Sequence, residues 1–259
     1  MHCTLERLTL PVAQPGSTLV LTSHPLSGFE SGQVLGSDVP GNIPVGSLMA
    51  PRGHQAWLQV LGYFWAPGGN RAPGFWVGVE KVLETSMLPC ELEISKTGFS
   101  LAWVTLSDSG AAGKRQDTSG PQIPEMISQH LPLCLTQGFL LGDEAFSLRS
   151  LLTHLALQED FDLIITTGGT GVAPRDITAE VTASLITKHL PGFEQAMMGA
   201  SLAVTPHAMI SRAMVGILGS SLIINLPGSP KGVRENLSPV LPALRHTLDK
   251  IHGDPTDCG

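Results

Sequence analysis

Asp162 to Thr178 reads DLIITTGGTGVAPRDIT, and this stretch decides the fold. With Phe161 ahead of it, its first part is apolar on both faces. Such a strand belongs inside a parallel sheet with helices covering each side. Glycine then takes over, at Gly168, Gly169 and Gly171. Positions without a Cβ let the backbone turn sharply and let N–H groups approach an anion. Thr166, Thr167 and Thr170 add hydroxyls beside them. The alternative is a tight strand-to-helix turn that binds nothing. Arg175 and Asp176 come next. Thr178 is placed to cap the following helix, with Glu180 at its second position near the positive end of the helix dipole. Asp176 is then left outside the cap and available for a ligand.

Outward from this strand, from about Lys96 to the end, strands and helices alternate. FSLAWVTLS is a buried strand, and Ile123, Met126, Ile127, His130, Leu131 and Cys134 recur at helical spacing. GFLLGD is a second strand, and Leu148, Leu151, Leu152 and Leu155 mark a second helix. Val181, Leu185, Ile186 and Leu190 predict a third helix, stopped by Pro191 and Gly192. AMVGILG and SLIINL predict a hairpin across Gly219 and Ser220. The last helical stretch, Val233 to Ile251, contains Pro239 and Pro242, which predict a kink or two shorter helices. This alternation means an α/β layer fold with a mostly parallel sheet. Ligands of such sheets sit beyond the carboxyl ends of the strands.

Three more strand ends carry candidate chemistry. Asp143 follows the second strand, and its reading as a helix cap or as a functional carboxylate stays open. Neighbouring strand ends converge in a parallel sheet, so Asp143 and Asp176 are expected to flank one site. Two carboxylates beside a phosphate cradle suit Mg2+, a hard ion that takes oxygen ligands and keeps several waters. In NLPGSPKGVRE, Asn225 to Glu235, Ser229 suits a helix cap and Pro230 the first turn. Gly228 permits close approach and Lys231 adds positive charge, so this is a second anion-ready helix start, or else an ordinary connection. In LSDSGAAGKRQDTSGP, the residues Ser107, Asp108, Asp117, Ser119 and Gly120 occupy a long loop of small and polar residues.

Residues 1–96 have a different texture. STLVLTS, AWLQVLGYFW and GFWVGVEKVLE predict strands, while HPLSGFESGQ, GSDVPGNIPVGS and APGGNRAPG predict loops. This half holds Trp57, Trp65 and Trp76 and shows no helical periodicity, so it is expected to be a small β-rich domain ahead of a second domain at 97–259. Hydrophobic residues are 42% of the 259, enough for buried cores, and only 14% are charged, which excludes charge-driven disorder. The net charge of -7 argues against a general nucleic-acid binder, so phosphates must be held locally. Cys3, Cys90, Cys134 and Cys258 show no zinc-site spacing and read as reduced thiols of a cytoplasmic protein. The N-terminus lacks the pattern of a signal peptide, and no apolar run is long enough for a membrane helix. His207 precedes AMISR and reads either as a residue near the site or, more plainly, as an ordinary surface or core histidine.

Taken in order, TLSDSG, QDTSGP, LLGDE, LIITTGGTGVAPRDIT, PGFEQAMM, AMISR and LIINLPGSPKGVRE resemble the MogA/MoaB-like molybdopterin adenylyltransferase family of molybdenum cofactor biosynthesis. The resemblance covers about Ser100 to Ile251. It implies a three-layer α/β fold with helices on both faces of the sheet, and a homotrimer. It also implies a reaction in which molybdopterin and ATP, with Mg2+, give adenylyl-molybdopterin and pyrophosphate, among the other proteins of cofactor biosynthesis. The catalytic and metal-holding aspartates carry over to Asp143 and Asp176. Ligand contacts carry over to Ser107, Asp108, Thr167, Gly168, Gly169, Thr170, Gly171, Arg175, Ser211, Arg212, Pro227, Gly228, Ser229 and Lys231. Two departures stand out: Ala179 replaces a common proline, and Ser109 replaces the arginine of a usual SDR, removing one positive charge. A non-catalytic pterin-binding scaffold and a molybdate-inserting relative are the alternatives. The N-terminal half, through NIPVGSLM, resembles MOSC domains, which would make Cys90 a candidate sulfur carrier; a buried or linker cysteine is the plainer alternative.

Overall fold

The computed structural model describes residues 1–26, 32–65 and 73–255. The chain divides into two compact units, Met1–Thr97 and Gly98–Gly259.

The first unit contains β1 (His2–Leu8), β2 (Val12–Ala13), β3 (Thr18–Thr22), β4 (Gln33–Ser37), β5 (Leu48–Ala50), β6 (Leu58–Trp65), β7 (Pro73–Val79), β8 (Leu83–Glu84) and β9 (Cys90–Ser95). Seven of these close into a barrel in the order β1-β4-β3-β7-β6-β5-β9, and β2 and β8 form a separate ribbon. Side chains alternate across each strand, so Leu19, Leu21, Leu58, Val60, Phe75, Val77 and Leu92 fill one core. Closure removes the free sheet edges that a flat arrangement would expose. The expected loops at 24–33 and 66–74 fall largely on residues 27–31 and 66–72, outside the described residues. Cys90 is half-buried at the start of β9, and burial and the charge of Glu91 push its thiol up. That is the wrong direction for a thiolate nucleophile. Burial alone pushes Cys3 to about 11. Cys258 lies outside the described residues.

The second unit runs β10 (Phe99–Leu106), α1 (Asp108–Ala111), α2 (Gln122–Ser128), β11 (Leu133–Leu141), α3 (Ala145–Leu157), β12 (Leu163–Thr167), α4 (Thr178–Ala183), β13 (Lys188–His189), α5 (Pro191–Val204), β14 (Val215–Leu218), β15 (Ser221–Leu226), α6 (Pro230–Leu237) and α7 (Leu241–Ile251). Its sheet has the order β11-β10-β12-β15-β14-β13. The first four strands are parallel, β14 pairs antiparallel with β15, and β13 pairs antiparallel with β14, so the sheet is mixed. Leu101, Leu163, Ile165, Leu222 and Ile224 point to one face and share a core with Ile123 and Ile127 of α2, Val233 and Leu237 of α6, and Leu244 and Leu248 of α7. Each such burial contributes roughly 1.5–3 kcal/mol. Alternate residues face the other way, where Asn225 Nδ2 donates to Thr182 Oγ1 of α4 at 3.1 Å.

Several elements differ from the periodicity. The third helix does not reach Leu190: α4 ends at Ala183. Thr187 N–H and Leu190 N–H donate to the carbonyls of Ile217 (2.7 Å) and Val215 (2.8 Å), and this edge pairing draws Lys188 and His189 into β13. Pro191 then opens α5 instead of ending a helix, as a proline in the first turn can. Cys134 lies in β11, which starts at Leu133, well before GFLLGD. The final stretch breaks into α6 and α7, and β14 and β15 form the hairpin with Leu218 opposite Ser221.

The parallel register aligns the strand ends. Leu106 pairs with Leu141, Thr105 with Thr167, and Thr167 with Leu226. The loops after β11, β10, β12 and β15 therefore leave from one edge.

Candidate functional site

These loops line a cavity of about 830 Å³. Asp143 enters from the end of β11. Ser107 and Asp108 come from the end of β10. Gly168 to Gly171, Arg175 and Asp176 come from the end of β12, and Pro227, Gly228, Ser229 and Lys231 from the end of β15. Ser211 also lines it, as do His207 and Ile210, which precede it in chain order.

In the glycine turn the carbonyls are used, and the Gly168 N–H donates to the Leu226 carbonyl at 3.0 Å, while the next three N–H groups are left over. Gly168 and Gly169 have φ of 104° and 65°, left-handed values that favour glycine. A Cβ on Gly168 would also lie 2.5 Å from the Leu106 carbonyl oxygen. The Gly168 carbonyl accepts from Thr178 Oγ1 (2.8 Å) and the Gly169 carbonyl from Thr178 N–H (3.0 Å). The Thr170 carbonyl accepts from Arg212 N–H (2.9 Å), and the Gly171 carbonyl from Arg212 Nε (2.6 Å). Among the described residues, the N–H groups of Gly169, Thr170 and Gly171 donate to no protein acceptor. Three consecutive spare donors beside a cavity are groups of the kind that can receive an anion.

Three expectations change with this picture. Thr178 is not the cap of α4: Ile177 holds that position, and the buried Thr178 hydroxyl is spent on Gly168. Arg212 is absent from the cavity lining and serves behind the turn. Besides Gly171, its guanidinium donates to the Asp176 carbonyl at 2.8 Å and pairs with Glu180. Thr167 is also turned away, fully buried, with its hydroxyl on the Pro227 carbonyl at 2.8 Å. That bond ties the β12 and β15 loops together.

Asp143 is free of capping duty because its neighbour performs it. Glu144 accepts from Phe146 N–H (3.0 Å) and Ser147 N–H (2.6 Å) at the start of α3. Burial, then the charge of Asp176, hold the Asp143 carboxyl above the usual carboxylate range. Asp143 and Asp176 line the same cavity, and two like charges there are the electrostatic condition a cation relieves. No group of three or more His, Cys, Asp or Glu side chains clusters as a metal cage among the described residues. Two carboxylates with water and phosphate oxygens are a donor set that fits Mg2+, which is commonly held by one or two carboxylates.

The long loop after α1 is ordered by Asp117. Its Oδ2 accepts from Thr105 Oγ1 at 2.6 Å, and its Oδ1 from the N–H groups of Ser119 and Gly120, both at 3.0 Å. Ser119 then donates to the Gly228 carbonyl at 2.9 Å. Asp117 was legible only as one polar residue in a polar loop; the aspartate followed by a serine and a glycine at two and three positions on is the local signature of such a turn. Opposite it, Ser229 caps α6 by accepting from Gly232 N–H at 3.0 Å, and Lys231 lies in the first turn. No helix among the described residues is long and apolar enough to cross a membrane.

Residues 102–246 match the family described as "Probable molybdopterin binding domain". The chain is 41% identical over 152 residues to a molybdopterin adenylyltransferase of Helicobacter pylori strain J99, covering 58% of this chain and 86% of that protein. It is 38% identical over 161 residues to gephyrin of Dictyostelium discoideum, which takes in 59% of this chain but only 22% of gephyrin. The solved molybdopterin biosynthesis enzyme MoaB of Thermus thermophilus superposes with a TM-score of 0.56 at 41% identity, over 61% of this chain and 99% of its own.

Proposed function

The chain belongs to the molybdopterin-binding family of molybdenum cofactor biosynthesis, and on that premise we propose that its second unit is a molybdopterin adenylyltransferase. The terminal phosphate of molybdopterin attacks the α-phosphorus of ATP. A P–O bond forms there, the bond to the β-phosphate bridge breaks, and pyrophosphate leaves. Both reactants are anions, so the tasks of the site are alignment and charge compensation. The N–H groups of Gly169, Thr170 and Gly171 hold phosphate oxygens on one side of the cavity. The start of α6, with Lys231 in its first turn, holds them on the other. Asp143 and Asp176 would hold Mg2+. When bound, that ion neutralises phosphate charge and orders the phosphate oxygens.

The observation that carries this reading is the meeting of Asp143, Asp176 and the glycine-turn donors in one cavity. The test uses the purified full chain with molybdopterin and Mg-ATP, following pyrophosphate. Release is expected, and Asp176→Asn should lower it by about 10²-fold or more, the scale of losing one preorganised electrostatic element. A wild-type protein that binds molybdopterin yet releases no pyrophosphate would leave a binding scaffold in place of an enzyme.

A further inference from the structure

Asp108 stands between the two loops that carry the proposed metal-holding aspartates. It is the first residue of α1, whose cap Ser107 accepts from Gly110 N–H at 3.1 Å. Its Oδ1 accepts the N–H of Asp143 at 2.9 Å, across from the end of β10 to the end of β11. Its Oδ2 is shielded from solvent and meets the guanidinium of Arg175, one residue before Asp176, as an ion pair. Gly142 makes room for this contact: a Cβ there would lie 3.1 Å from Asp108 Oδ1. One carboxylate therefore grips the backbone of Asp143 and the loop of Asp176 together.

We propose that Asp108 is a positioning residue, fixing Asp143 relative to Asp176 through the Asp143 N–H and the Arg175 guanidinium, without contacting substrate itself. The inference rests on the adenylyl-transfer reading. Like charges on Asp143 and Asp176 drive the two loops apart, and each loop hangs from a different strand end. Asp176 is held within its own loop by the Ala173 N–H at 2.7 Å and by Arg212 at 2.8 Å, and Asp108 adds the link from that loop to Asp143. The two arms of the tether differ in weight. A hydrogen bond from a backbone N–H to a carboxylate is charge-assisted and directional. The ion pair joins the solvent-shielded Asp108 Oδ2 to an Arg175 side chain that is 74% exposed, which makes it the weaker arm. Asp108 also holds Arg175 away from a role as a free phosphate grip.

The test compares Asp108→Ala, Asp108→Asn and Arg175→Met in the full chain, with two readouts. The first needs no ligand: the Asp143 amide in a 15N–1H spectrum. Asp108→Ala should move it upfield and speed its hydrogen exchange. Asp108→Asn retains an acceptor oxygen and should fall between Ala and wild type. The second is turnover. Asp108→Ala should lower kcat by about 10–100-fold, the loss expected for a charge-assisted bond, with KM for ATP within about threefold of wild type. Asp108→Asn should recover part of that loss, and Arg175→Met should lose less than Asp108→Ala. A raised KM with unchanged kcat would make Asp108 a ligand contact and overturn the proposal. So would an Asp143 amide that ignores both Asp108 substitutions, or wild-type kcat in Asp108→Ala. Absence of turnover in the wild-type protein would refute the adenylyl-transfer reading instead, and the Asp143 amide would then decide on its own whether the tether exists.

Discussion

Replacing Arg212 separates a residue that grips substrate from one that shapes the site from behind. Arg212→Met keeps the aliphatic stem and removes the guanidinium. Three contacts go: Nε to the Gly171 carbonyl at 2.6 Å, Nη2 to the Asp176 carbonyl at 2.8 Å, and the pair with Glu180. Removing a charged hydrogen-bond partner costs about 1.5–3 kcal/mol each, but contacts that share one head group are not additive. The Glu180 side chain is 58% exposed, so its share is at most about 1 kcal/mol. The two carbonyls then dominate, and the total comes to about 3 kcal/mol. For a unit of this size that is a fall in Tm of roughly 6–12 °C. The loosening should also be local. Hydrogen exchange read by mass spectrometry should quicken across residues 168–178 while the barrel peptides stay unchanged. kcat should fall with it, because the same turn presents the spare N–H groups. Unchanged exchange and Tm, together with a raised KM for ATP, would show Arg212 reaching the ligand and would refute the clamp.

Gly168→Ala should destabilise the second unit by about 3 kcal/mol or more, since φ of 104° disfavours a side chain and the added Cβ would collide with the Leu106 backbone; urea unfolding checks it, and a wild-type midpoint would refute it. His154 gives a pH signature at the end of α3. Its hydrogen bond to Glu159, first, and that to Gln158 raise its pKa above 6.5 against the opposing effect of burial. The stabilisation it adds is therefore full below pH 6.5 and fades as pH rises through the folded value. The gap in urea midpoint between wild type and His154→Gln should be larger at about pH 5.5 than at about pH 8.5, by less than about 1 kcal/mol because the pair is partly exposed; a gap that grows with pH would reverse the assignment.

The central strand was the most legible part of the fold. Its residues are apolar on both faces, a pattern that an interior parallel strand demands and a surface element cannot use. The edges were less legible because tertiary pairing overrode local spacing. Leu185, Ile186 and Leu190 sit at helical intervals, yet β14 offers carbonyls at Ile217 and Val215 that the chain takes as an edge strand. Pro191 marked a boundary correctly but its direction was misread, since the same ring that blocks a helix interior is at home in a first turn. The early part of β11 was hidden for a different reason. Leu131 and Cys134 also fit the helical spacing of Ile123 and Ile127, so the residues from Leu133 read as the end of that helix, whereas the chain pairs them with β10.

At the site, residue types were legible and their division of labour was not. Asp143 and Glu144 are adjacent acids, and either could cap α3; only backbone direction shows Glu144 reaching the Phe146 and Ser147 amides and leaving Asp143 to the cavity. Cations met the same difficulty. Arg175 and Arg212 both read as charge for phosphates, but one is committed to Asp108 and the other to carbonyls behind the glycine turn. The spare N–H groups of Gly169, Thr170 and Gly171 border the same cavity as Arg115 and Lys231, and Lys231 pairs with Glu235 at 3.5 Å. On the adenylyl-transfer reading proposed above, backbone donors held by Thr178 and Arg212 would need no reorganisation as charge moves along the transferred group, whereas long cationic side chains must be ordered each time.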